Sequence, residues 1–126
     1  MQKGIDKMNF LIVGIGGMFG SLTRYSLGQY IQKHLGKYFP IGTIIINLTG
    51  ALVLGILNAA NLNAKFYILL CDGFLGAYTT FSTFMFDGVK LFHTDKKINA
   101  ISYILITIVF GILAYMTGHK ITSLFT

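Results

Sequence analysis

The segment GFLGAYTTFSTF, residues 73–84, carries the densest set of side chains able to contact an ion. Thr79, Thr80, Ser82 and Thr83 offer hydroxyls that both donate and accept hydrogen bonds. Phe81 and Phe84, at i and i+3, share one helical face. Phenylalanine is ordinarily lipid or core filler, yet its ring edge carries the positive end of the aromatic quadrupole. Such edges, with hydroxyls beside them, can replace part of the water around a small anion. Gly73, Gly76 and the Thr79-Thr80 pair are poor company for an uninterrupted helix, so a break is expected over residues 76–79. A break frees backbone carbonyls, and at membrane depth those make a cation site where they are buried or line a cavity.

Two further positions could act on an ion. Thr43, Asn47 and Gly50 stand at i, i+4 and i+7, one polar face of an otherwise apolar stretch. The Asn47 amide supplies two N–H donors and an acceptor, suited either to a helix-to-helix hydrogen bond or to an anion. Arg24 lies four residues beyond Gly20 and eight beyond Gly16, so a small-residue face ends in a guanidinium. That arginine either snorkels to the interface, pairs with an aspartate, or draws anions into a vestibule.

Catalytic chemistry is poorly provided for, and no enzyme activity is expected. The acids are Asp6, Asp72, Asp87 and Asp95, with no glutamate, and no nucleophile sits at a sensible spacing from a base. The glycines of GIGGMFG resemble a dinucleotide-binding pattern but sit inside an apolar helix with no βαβ unit around them. Cys71 is the sole cysteine, and His34, His93 and His119 lack paired ligand spacing, so no metal site is expected from Cys or His.

The elements that must hold these residues follow from composition. The 126 residues are 54% hydrophobic and only 11% charged, with a mean hydropathy of +0.69. That balance exceeds what a soluble domain of this length needs and identifies an all-α integral membrane protein of one domain, residues 1–126. Nothing between Lys37 and Lys65, or between Lys97 and His119, is charged, and both gaps exceed the roughly 20 residues of a spanning helix. Two more apolar stretches, interrupted by Arg24 and by Asp72, Asp87 and Lys90, complete four transmembrane helices over about 8–31, 41–58, 66–92 and 98–121. Pro40 suits the first turn of the second. Glycines thin the first stretch and no A-x-A site follows it, so it is expected to stay as a helix.

The formal charge of +6 comes from basic residues scattered over termini and links, which argues against nucleic-acid binding. By alternation, Lys3, Lys7, Lys65 and Lys120 fall on one side of the membrane and Lys33, Lys37, Lys96 and Lys97 on the other. The positive-inside rule has almost nothing to act on, which leaves open a fixed orientation or insertion both ways up. Gly16 with Gly20, Gly73 with Ala77, and the Thr107, Gly111, Ala114, Gly118 face support close helix packing. Four helices make a thin bundle, and an oligomer is expected.

Three motifs, GGMFGSLTRY (residues 16–25), PIGTIIINLTG (40–50) and GFLGAYTTFSTF (73–84), together resemble the Fluc, or CrcB, family of fluoride channels. The resemblance implies an antiparallel dual-topology homodimer in the cell membrane, a bacterial inner membrane, with two fluoride pores that export the ion passively. It implies pore roles for Asn47, Phe81, Phe84 and the hydroxyls of Thr80, Ser82, Thr83 and Thr107. Arg24 would stand near the entrance, and a structural Na+ would bind the carbonyls of Gly76 and Thr79 at the dimer axis. Asp87 replaces the family's usual glutamate, and Thr107 stands where a serine is common four residues before a glycine. The alternative class, a small dual-topology multidrug transporter, depends on a carboxylate within the first helix, which this stretch lacks.

Overall fold

The computed structural model describes residues 2–36, 39–94 and 96–126. Lys37, Asp95 and the Lys3 side chain, which the sequence places near the membrane surfaces, lie outside the described residues. The first helix, α1 (Gln2–Leu35), outruns its expected apolar stretch at both ends. Its 34 residues cover about 50 Å at 1.5 Å per residue, well beyond a hydrocarbon core of about 30 Å. Helical hydrogen bonding therefore continues into the polar flanks.

The second helix, α2 (Ile41–Ala59), starts after Pro40, whose missing N–H costs nothing there. Beyond it Asn61 adopts φ 51°, the left-handed turn that ends many helices. Asn63 then restarts the chain by accepting the Lys65 N–H at 3.1 Å, capping α3 (Ala64–Tyr67).

A π-helical segment, Ile68–Leu75, follows, and one more turn, α4 (Gly76–Tyr78), carries the chain to Thr79. There the backbone is extended, with φ −77° and ψ 154°, before α5 (Ser82–His93) begins. Gly76 thus remains helical, and the departure from helical geometry falls one turn later than the glycines alone predict. The last helix is α6 (Lys97–Phe125). Four stretches, Asp6–Leu35, Ile41–Ala59, Ala64–His93 and Lys97–Phe125, are long and apolar enough to cross a membrane.

Glycines set the closest approaches. A Cβ on Gly16 or Gly20 would meet the backbone carbonyls of Leu69 and Phe74, so α1 lies backbone to backbone on the π segment. Gly55 and Gly118 do the same between α2 and α6, against the carbonyls of Tyr115 and Leu52. The Asn58 amide donates to the Tyr115 hydroxyl across that seam at 2.8 Å. One core joins Ile44, Phe84, Leu91, Ala100 and Tyr103; a second joins Ile46, Leu75 and Tyr78. The outer faces of α1 and α6 stay apolar and exposed, as at Phe10, Phe19, Leu105 and Phe110, where lipid or protein must cover them.

Candidate functional site

The polar face of α2 meets the extended residue and its neighbours directly. Asn47 Nδ2 donates to the Thr80 carbonyl at 2.9 Å, and the Thr80 N–H donates to Asn47 Oδ1 at 2.9 Å. One side chain therefore satisfies both backbone groups of a residue outside the helical ladder, as burial requires. Only one of the two Asn47 N–H donors is used in this pair. Thr80, itself buried, caps α5 by accepting the Thr83 N–H at 3.2 Å. Its hydroxyl also lies 3.4 Å from that of Ser82.

These bonds divert the amides that a continuous helix would aim at Gly76 and Thr79. The Thr80 N–H, four residues beyond Gly76, goes to Asn47, and the Thr83 N–H, four beyond Thr79, goes to Thr80. Gly50 provides the room, since a Cβ there would fall on Thr79 Cγ2. One turn earlier on α2, Thr43 Oγ1 donates to Asp87 Oδ2 at 2.8 Å, linking α2 to α5.

A groove of about 750 Å³ opens beside these pairs. Thr43, Thr80, Thr83 and Asp87 line it, together with the basic side chains of Arg24 and Lys90. Among the described residues Arg24 forms no ion pair with an aspartate, and it stands half-buried at the groove wall.

The predicted aromatics part company. Phe84 is buried, with its ring centroid 5.3 Å from that of Tyr103, whereas Phe81 is 74% exposed and points out of the single chain. The two rings still lie 6.0 Å apart, centroid to centroid. Ser82 and Thr83 are exposed. Thr107 is buried, its hydroxyl donating to the Tyr103 carbonyl at 2.7 Å, away from the Asn47 pair. Among the described residues no cluster of His, Cys, Asp or Glu could hold a metal ion.

Sequence reasoning passed over Tyr103. Its fully buried hydroxyl lies near Thr43 and Asp87 without a hydrogen bond of normal geometry. The available signal was its position four residues before Thr107, on the same helical face. The partner of Tyr78, the Thr49 hydroxyl at 2.8 Å, was likewise not legible.

Fold and groove define a small multi-pass helical membrane protein with a recess lined by hydroxyl and basic side chains. The profile described as CrcB-like protein, Camphor Resistance (CrcB), matches residues 11–119, and the chain belongs to that family. A Clostridium acetobutylicum protein named Fluoride-specific ion channel FluC 2 is 49% identical over 117 residues, 93% of this chain and all of the relative. The Hydrogenobaculum protein named Fluoride-specific ion channel FluC is 39% identical, covering 93% of this chain and 99% of its own. The Rhodococcus jostii protein named Fluoride-specific ion channel FluC 2 is 34% identical, covering 92% and 100% respectively.

Proposed function

We propose that this chain is a passive fluoride-selective channel that releases cytoplasmic fluoride across the cell membrane. The observation that carries the reading is the groove itself: Arg24 and Lys90 line it beside the hydroxyls of Thr43, Thr80 and Thr83, and Thr80 is the residue whose backbone Asn47 holds. Fluoride is small and tightly hydrated, so a pore must replace its water with many moderate donors without holding it too firmly to leave. Asn47, Thr80, Ser82, Thr83 and the edges of Phe81 and Phe84 are donors of that kind, and Arg24 gathers the ion at the entrance. Thr107 is the least supported member, because its hydroxyl is engaged with its own helix.

Because the groove is open along one side and Phe81 points outward, the conducting unit in this reading is a dual-topology homodimer. Two antiparallel copies enclose two pores. The third span serves as a broken helix, its break at residues 79–81. Residues present fit a structural Na+, since the carbonyls of Gly76 and Thr79 have lost their usual amide partners to Asn47 and Thr80. A bound Na+ would supply the positive charge those oxygens lack, with a second copy completing its shell.

The direct test is purified protein in liposomes loaded with fluoride or chloride, with release followed by ion-selective electrodes. Fluoride is expected to leave and chloride to stay, and Asn47→Ala is expected to slow fluoride by about tenfold, a change of about 1.4 kcal/mol along the path. Equal release of both ions, or of neither, would sink the reading.

A further inference from the structure

The groove is bordered by one side chain whose hydrogen bonds go to none of the candidate ion-binding groups. Gln32, on the last turn of α1, uses both ends of its amide on backbone outside its own helix. Its Nε2 donates to the carbonyl of Gly36 and, at 3.1 Å, to that of Phe39, while its Oε1 accepts the Gly42 N–H at 3.1 Å.

The start of α2 needs such a partner. Helices leave their first N–H groups without intrahelical acceptors, and a side chain at the N-cap ordinarily supplies one. Here the N-cap is Pro40, which makes no side-chain cap. The Ile41 N–H turns back to the Phe39 carbonyl at 2.8 Å, and the next orphan donor, Gly42, is taken by Gln32 from a different helix. Gly42 is suited to the approach: a Cβ there would lie 3.0 Å from the Gly28 carbonyl and 3.3 Å from Gln32 Oε1.

We infer that Gln32 is a positioning residue for conduction, a cap supplied in trans by α1 that fixes the start of α2 and the Phe39 ring at the groove. Two routes carry its effect. Thr43 follows Gly42 directly and Asn47 lies just over one turn further, so the cap sets their height against Asp87 and Thr80. The bond to the Phe39 carbonyl holds a ring whose centroid lies 5.9 Å from that of Tyr103, edge on, and Tyr103 in turn backs Phe84. The amide is also the side chain for the task on charge grounds. A lysine could not accept from Gly42, and a carboxylate could not donate to Gly36 and Phe39.

The inference rests on the channel reading above, and its test separates the two. Fluoride currents are recorded in planar bilayers for the wild type, Gln32→Ala and Gln32→Glu as the pH falls from about 7 toward the ordinary carboxylate range near 4. An electrical readout is blind to neutral hydrogen fluoride. Gln32→Ala is expected to carry several-fold less current at every pH. Gln32→Glu keeps an acceptor for the Gly42 N–H and loses the donors to Gly36 and Phe39, so it is expected to carry an intermediate current at neutral pH and to rise toward the wild-type current as protonation restores a donor. The other titratable groups lining the groove, Arg24, Tyr25, Asp87, Lys90 and Lys96, are common to all three proteins, so the wild-type profile subtracts them. Full current in Gln32→Ala, or a Gln32→Glu current with the wild-type pH profile, overturns the inference. Hydrogen exchange at the Gly42 amide gives a readout independent of conduction: faster exchange in Gln32→Ala supports the cap, and unchanged exchange refutes it. Should the wild type pass no fluoride current, the channel reading fails and that exchange measurement alone decides the cap.

Discussion

Phe81 and Phe84 are two copies of one side chain, a turn apart, and their surroundings assign them different costs. Phe84 is 8% exposed and packs on Tyr103 in the core shared by α2, α5 and α6, so Phe84→Ile is expected to lower stability by about 1–3 kcal/mol. Phe81 is 74% exposed in the single chain and has little intrachain packing to lose. Phe81→Ile should therefore leave thermal unfolding in detergent nearly unchanged while reducing fluoride flux in liposomes. Flux that survives Phe81→Ile intact would remove this ring from the path. The i and i+3 spacing predicts one shared face for both rings, but Phe81 stands just before α5 begins, exposed, while Phe84 is buried within it. The sequence could not say that one ring faces inward and the other outward, because that depends on how α5 is rotated against α6. Asn47 shows the converse. Its polar face was legible from spacing, and the structure shows its amide paired with both backbone groups of Thr80.

At the scale of elements, glycines separate into those that permit a contact and those that do not. A Cβ on Gly20 would run into the carbonyl of Phe74, and backbone cannot step aside as a flexible side chain can. Gly20→Val is expected to push α1 off the π segment at a cost of about 1–3 kcal/mol. Gly14 faces open space on the same helix, with nothing within 4 Å, so Gly14→Ala is expected to be neutral or slightly stabilising. Thermal unfolding of the two variants in detergent checks the contrast, and equal losses would mean that the close approach of α1 does not matter. The four spans were legible because charge-free runs of sufficient length have few other uses. Their ends were less so: α1 and α6 continue beyond their apolar stretches because helical hydrogen bonding does not stop where hydrophobicity does. The π segment left no trace in periodicity. Its defining bond, from the Gly76 N–H to the Cys71 carbonyl, shifts the ladder by one residue within a run whose only charged residue is Asp72.

For the whole molecule, the depth of the extended residue bears on how two copies could combine. Thr79 lies against Gly50, the middle residue of α2 (Ile41–Ala59), so the carbonyls of Gly76 and Thr79 stand near the mid-length of that span. Inverting a second copy leaves a central feature at the same depth, whereas any feature near one surface would move to the other. In the antiparallel dimer proposed above, the carbonyls of Gly76 and Thr79 from both chains would gather around one Na+. The lysines near the two surfaces are nearly balanced, Lys7, Lys65 and Lys120 against Lys33, Lys96 and Lys97, so insertion in both orientations carries little electrostatic penalty. Two outcomes follow for the same protein. Tags on both termini, probed from each side of intact cells, are expected on both sides, and a tag found on one side only would rule out dual topology. Exchanging Na+ for a large organic cation during purification is expected to loosen the dimer and abolish fluoride flux in liposomes. Readdition of Na+ should restore both, and flux indifferent to the exchange would leave those carbonyls without the role proposed for them.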